Sequence, residues 1–226
     1  MRASRLAALL AACVIWTLMM TTQVRLRESL AVAHARLNDG VRRIAVLGDS
    51  VARGAGDERG RAGIAGRLGA ANFGVDGART RVVLDVLRRT DVGVSLRSAD
   101  VVVVSIGGND LFGDGAARLL TLLAPARAME RTINRVAAIV DRIHAVNPAA
   151  RIVLLGLYNP YRTPFLDEQI ALWDSRLIAR FARDREVDVV RIADLFAYTA
   201  RFSPIDHFHP SAEGYALIAA RVAAAW

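Results

Sequence analysis

From Arg43 onward the chain alternates short apolar runs with longer stretches of helical period, and no other feature restricts its fold as much. The runs are Ile44–Leu47, Asn72–Val75, Val101–Ile106, Ile152–Leu157 and Val187–Ile192, each bounded by Gly, Asn, Asp or Pro. Between them lie Ile64–Leu68, Thr80–Arg89, Ala116–Leu123, Met129–Val146 and Leu166–Arg183, and Ala212–Ala225 closes the chain. Within Met129–Val146, the residues Ile133, Val136, Ile139, Val140, Ile143 and Val146 recur at steps of three or four, the signature of one buried helical face. Continuous Val and Ile runs suit strands that are covered on both faces. Strand and helix in turn predict an α/β fold: a three-layer α/β/α sandwich around a mainly parallel five-stranded sheet. No repeat, low-complexity tract or second-domain boundary is visible, and 226 residues suffice for one domain with a substantial core.

The chain before Arg43 reads differently. Arg2 and Arg5 precede a run from Leu6 to Met20 that only Thr17 interrupts. A charged start before an apolar stretch is the pattern of an export signal or a membrane anchor. The run is short for a span, which needs ~17–25 residues, although Thr21 and Thr22 could extend it. Ala31-Val32-Ala33 has the form of a cleavage site, but Arg25, Arg27 and Glu28 separate it from the apolar run, which favours an uncleaved anchor. Leu10-Ala11-Ala12-Cys13 resembles a lipoprotein processing site, yet apolar residues follow Cys13 where a polar tether belongs. The expected organisation is a signal or anchor segment at 1–22, a connector at 23–42 and a folded domain at 43–226, membrane-anchored or exported to the cell envelope of a bacterium. Residues 1–43 hold seven Arg against Glu28 and Asp39, so much of the net charge of +8 lies beside the apolar run. The remainder is nearly balanced and carries no nucleic-acid footprint. Cys13 is the only cysteine, so no intrachain disulfide can form.

Ser50, Gly77 and Asn109 each sit just past a predicted strand, at the end of the sheet where open α/β folds bind ligands. Ser50 could be a nucleophile or merely the cap of the next helix. A serine nucleophile needs a base, a group to orient that base, and donors for the developing oxyanion. Of the four His, His34 falls in the connector and His144 inside a helical stretch, which leaves Asp206-His207-Phe208-His209-Pro210. A carboxylate three residues before a His can bond Nδ1 and leave Nε2 to the serine, which favours His209 over its competitor His207. The same three residues could instead hold a metal, although no further ligand cluster is evident. Ser211 is well placed to cap the last helix. Asp49 and Asp110 read as structural carboxylates for nearby loop amides. Tyr158, Tyr161 and Phe165 follow the fourth run, where they would pack a loop on the sheet or wall a substrate's acyl group.

Four blocks together carry a resemblance: GDSVARGAGD at 48–57, NFGVDG at 72–77, GGND at 107–110 and DHFHP at 206–210. In order and spacing the chain resembles the GDSL, or SGNH, hydrolases, and GLYNPY at 156–161 is similar to a subgroup of small bacterial members. The resemblance covers residues 43–226 and implies a flavodoxin-like fold. It implies Ser50 as nucleophile, His209 as base and then acid, and Asp206 as the group that orients His209. It implies an oxyanion hole made of the Ser50 N–H, the Gly77 N–H and the Asn109 side-chain amide. Val51 stands where the family's name has Leu, and His207 fills a variable position. The implied activity is hydrolysis of carboxylic esters through an acyl-enzyme, on small, short-chain or lipid-derived esters, with no cofactor and no metal. Alternatives are an envelope carbohydrate O-deacetylase, a thioesterase or a lysophospholipase, and, from another class, a tethered binding module. The expected partners are a small-molecule ester and, through the N-terminal segment, a membrane; a monomer is expected.

Overall fold

The computed structural model describes residues 42–113 and 124–226. The segment expected as a signal or anchor, with Cys13, and His34 and the helix expected at Ala116–Leu123 all lie outside the described residues. Among the described residues, no helix is long and apolar enough to cross a membrane.

Five strands form one parallel sheet: β1 (Ile44–Gly48), β2 (Ala71–Gly74), β3 (Val101–Ser105), β4 (Arg151–Leu155) and β5 (Val187–Val190). Their spatial order is β2-β1-β3-β4-β5. The chain winds outward in one direction from β1 to β2 and in the other from β3 to β5, so the switch point lies between β1 and β3. Register follows the apolar runs: Ile44 pairs with Val101, Val102 with Ile152, and Ile152 with Val187. Every residue of β1 and β3 is buried, as continuous Val and Ile runs demand. Strand β2 departs from that expectation. It is an edge strand, Ala71 and Asn72 are exposed, and a polar Asn is therefore tolerated there.

The helices are α1 (Ser50–Arg53), α2 (Gly63–Leu68), α3 (Thr80–Val86), α4 (Thr90–Ser98), α5 (Gly108–Phe112), α6 (Pro125–Val146), α7 (Pro164–Phe181) and α8 (Ala212–Ala223). Two short 3-10 turns, Ala193–Phe196 and Thr199–Arg201, follow β5. Helix α6 buries Ile133, Val136, Ile139, Val140 and Ile143, the face its spacing predicts, and Val146 packs partly buried against the same core. Pro125 and Pro164 open α6 and α7 at positions where a missing N–H costs nothing. Ser211 caps α8 by accepting from the Gly214 N–H at 3.2 Å. The stretch expected as one helix from Thr80 to Arg89 ends at Val86, and a separate helix, α4, follows. Its single buried stripe is only Val92 and Leu96, and Gly93 lowers its propensity, so its helical period is faint in sequence.

Candidate active site

The β1–α1 corner presents Ser50. Gly48 has φ +141°, and a Cβ there would lie 1.9 Å from the Ser105 carbonyl oxygen. Only glycine lets β1 run this close to β3 before it turns. The Asp49 N–H then donates to that same carbonyl at 3.0 Å. Asp49 is the N-cap of α1, its carboxylate accepting from the Val51 N–H at 3.0 Å. The capping role considered for Ser50 therefore belongs to its neighbour, and the Ser50 hydroxyl is left for another partner. Burial pushes the Asp49 carboxyl up to about 6, against the Val51 and Ala52 N–H groups and the nearby His209, which favour its charged form.

That partner is His209, whose Nε2 lies 2.9 Å from Ser50 Oγ across 159 residues of sequence. On its other side, His209 Nδ1 lies 2.6 Å from Asp206 Oδ2. Asp206 Oδ1 accepts from the backbone N–H groups of Phe208 and His209, both at 3.0 Å. Partial burial raises the Asp206 carboxyl, but the His209 hydrogen bond and the two N–H groups outweigh it and hold the group below the usual carboxylate range. A short antiparallel bridge between Phe202 and Pro210 frames this loop, and the Ser203 N–H donates to the His209 carbonyl at 2.8 Å. His207 sits at the tip of the loop with φ +54°, exposed. Among the described residues, no group of three or more His, Cys, Asp or Glu is arranged to hold a metal ion.

Asn109 lies in α5, directly after β3, and lines the same cavity as Ser50. One N–H of its amide donates to the Ala78 carbonyl at 3.0 Å, which leaves the second N–H for a ligand. Gly77 precedes Ala78 and has φ +68°, a left-handed backbone open to glycine, with empty space where a side chain would stand. The Asn109–Ala78 bond thus ties the Gly77 turn to the Asn109 helix. Asp110 adds a second tie, accepting from the Thr80 N–H at 2.8 Å and from the Thr80 hydroxyl at 2.7 Å. Asp49 and Asp110 are both used by nearby amides.

A cavity of about 80 Å³ opens beside Ser50 and Asn109, walled by Leu157, Tyr158, Tyr161, Ile192 and Phe208. Tyr158 stacks on Phe196 with centroids 4.3 Å apart, and its hydroxyl donates to the Phe208 carbonyl at 3.1 Å. Burial pushes the Tyr158 phenol up, so it remains a donor. The Tyr161 ring meets Phe208 edge-on at 5.7 Å, and Phe208 meets His209 at 5.0 Å. Phe165, expected beside these tyrosines, is 52% exposed on the first turn of α7 and does not line the cavity; its helical neighbour Leu166 does. Phe208 has no separate role in the sequence reading, although it lies inside the Asp206–Pro210 block. Its position between two polar residues of a loop gives no sign that its ring faces a ligand.

The chain compares closely with known proteins. The model of the GDSL-like Lipase/Acylhydrolase family matches residues 46–217. The uncharacterized protein YpmR of Bacillus subtilis (strain 168) is 29% identical over 202 residues, covering 79% of each chain. Among solved structures, the lipase Lip_vut3 from a goat rumen metagenome superposes with a TM-score of 0.69 at 20% identity, over 82% of this chain and 97% of that one. An acetylxylan esterase from Geobacillus stearothermophilus superposes with a TM-score of 0.58 at 17% identity, over 80% and 92%. These two share the fold.

Proposed function

This chain belongs to the GDSL-like lipase/acylhydrolase family and is an ester hydrolase of the GDSL type; on that premise we propose that Ser50 is its nucleophile and short-chain carboxylic esters are its substrates. The observation that carries this reading is the unbroken chain from Asp206 through His209 to Ser50, at 2.6 and 2.9 Å. His209 Nε2 takes the Ser50 proton as Oγ attacks the ester carbonyl. The Ser50 and Gly77 N–H groups and the free Asn109 N–H hold the oxyanion. His209 then protonates the leaving alcohol, and a water activated by the same imidazole releases the acid from the acyl-enzyme. Asp206 keeps Nδ1–H turned toward itself, so Nε2 arrives at Ser50 unprotonated.

The cavity supports short acyl chains. At about 80 Å³ it falls well below the ~300–1,000 Å³ of pockets that enclose drug-sized ligands, and its walls are mainly apolar. The charged start and the apolar run Leu6–Met20 support action at the bacterial cell envelope, with the catalytic domain tethered or exported. Carbohydrate O-deacetylation is a second reading, supported by the likeness in fold to an acetylxylan esterase.

Ser50→Ala should abolish labelling by a fluorophosphonate probe and reduce p-nitrophenyl acetate hydrolysis by at least ~10³-fold. A variant that kept the wild-type rate would overturn the assignment. Absence of labelling in the intact wild-type protein would favour a binding module. Tyr161→Ala should shift the acyl preference toward longer p-nitrophenyl esters; an unchanged chain-length profile would remove Tyr161 from the wall.

A further inference from the structure

His209 has to meet Asp206 at Nδ1 and Ser50 at Nε2 together, and it sits on a loop. Most bonds of that loop stay within its own few residues. The His207 N–H donates to the Ser203 carbonyl at 2.9 Å, and the Ile205 N–H to Ser203 Oγ at 3.2 Å. The Phe208 and His209 N–H groups donate to Asp206 Oδ1. Such bonds shape the loop but do not set its place over Ser50. Tyr158 supplies a bond from outside. It follows β4, fifty residues earlier, and its hydroxyl donates to the Phe208 carbonyl at 3.1 Å.

The Phe208 carbonyl and the His209 N–H are the two polar groups of one planar peptide unit, and they point to opposite edges of it. Tyr158 holds the first edge and Asp206 Oδ1 the second. Rotation of this unit breaks both bonds. The unit carries the His209 Cα at one end. Through Oδ1 it also aims the carboxylate whose other oxygen lies 2.6 Å from Nδ1. An O–H on the carbonyl polarises the peptide and strengthens its N–H as a donor to Asp206. Tyr158 thus reaches both members of the pair through a single peptide.

The donor is rigidly placed. Its ring stacks on Phe196 at 4.3 Å and meets Phe202 at 6.0 Å, and those two buried rings meet each other at 5.2 Å. Phe202 is bridged to Pro210, the residue after His209, so the cluster that fixes the tyrosine ring also frames the loop. On the other flank stands Gly56, with φ +81°. A Cβ there would lie 2.6 Å from His209 Cβ, so the backbone after α1 limits retreat of the histidine. Tyr158 limits its rotation.

Building on the proposed hydrolase reading, we propose that Tyr158 is a positioning residue, whose hydroxyl acts through the Phe208–His209 peptide to keep Asp206 and His209 in line for Ser50. The ring lines the cavity, but the hydroxyl serves the loop. The phenol keeps its proton throughout and forms no bond to substrate.

Tyr158→Phe keeps the ring and its stacking and removes only the donor. Phe208 is exposed, so water can take over the carbonyl and the variant should fold, which circular dichroism checks. A mobile water does not hold the peptide in place. With p-nitrophenyl acetate, kcat should fall about 3- to 10-fold, the worth of one neutral hydrogen bond, with KM and the acyl chain-length profile within about twofold of wild type. In an Asp206→Ala background, the same substitution should change kcat by less than about twofold, because the carboxylate that the peptide aligns is gone. Asp206→Asn, which cannot orient Nδ1–H, is the background if Asp206→Ala fails to fold. An unchanged kcat in Tyr158→Phe, or an altered KM or chain-length profile with kcat retained, overturns the positioning role. So does a loss of kcat that recurs in full without Asp206. Fluorophosphonate labelling of the wild type keeps the two readings apart. An unlabelled protein sinks the hydrolase, and a labelled one with any of these outcomes sinks only the role of Tyr158.

Discussion

Three donors meet the Asp206 carboxylate: His209 Nδ1–H at 2.6 Å and the backbone N–H groups of Phe208 and His209 at 3.0 Å. A neutral amide at this position would turn an N–H toward Nδ1, which would then have to accept and leave the proton on Nε2, where it cannot take one from Ser50. Asp206→Asn should therefore lower kcat by ~10²–10⁴ with a much smaller change in KM, measured by steady-state hydrolysis of p-nitrophenyl acetate at pH 8. Asn109→Ala should reduce kcat by ~10²–10³ and leave the far-ultraviolet circular dichroism spectrum unaltered. At this scale the sequence is highly legible. The spacing of Asp206 and His209 within one turn of chain is a local fact that dihedral geometry converts into a hydrogen bond. The distance from His209 to Ser50 is not local, and no spacing encodes it. The role of Asp49 as cap in place of Ser50 also needed coordinates, since both residue types cap helices well.

Between elements, the pair Asp110–Thr80 joins α5 to the start of α3, where Arg79 at the N-cap makes no side-chain capping bond to the helix. Asp110 supplies that cap from thirty residues away. Asp110→Ala should cost about 1–3 kcal/mol in urea unfolding. It should also lower kcat, because Gly77 and Asn109 would lose one of the two ties that hold them together. Loss of stability with unchanged kcat would show that the Asn109–Ala78 bond alone sets the oxyanion geometry. Sequence periodicity revealed the strands and the long helix α6, whose buried stripe runs for more than a dozen residues. It missed α1, α4 and α5. Two of these span barely one turn, and α4 buries only Val92 and Leu96, so a period has too few apolar positions to register.

For the whole molecule, two buried carboxyls predict a pH-dependent stability. Burial raises both Asp49 and Asp174 to about 6. Asp174 is 3% exposed and one of its oxygens has no hydrogen-bond partner. A Cβ at Gly156 would lie 2.6 Å from that oxygen, so the end of β4 rests on the carboxyl. Between about pH 4 and 6 the folded protein keeps these protons while the unfolded chain has released them. The unfolded state then binds fewer protons, so stability falls as pH rises through that window and levels off above it. Asp174→Asn should remove its share, up to about 3 kcal/mol, and flatten the Tm profile from pH 4 to 7. A Tm profile parallel to wild type across that range would show that the native carboxyl titrates normally.

By itself, the sequence determined the parallel sheet, the order of its strands along the chain and the four blocks that meet at its carboxyl end. Those depend on hydrophobic period and on residue types at short range, which are local properties. Only the tertiary structure decided which strand lies at the edge, that Phe208 rather than Phe165 walls the cavity, and that Asp49 rather than Ser50 caps α1. Each of these depends on which surfaces face one another after the chain has closed on itself, and residues far apart in sequence carry no mark of that encounter.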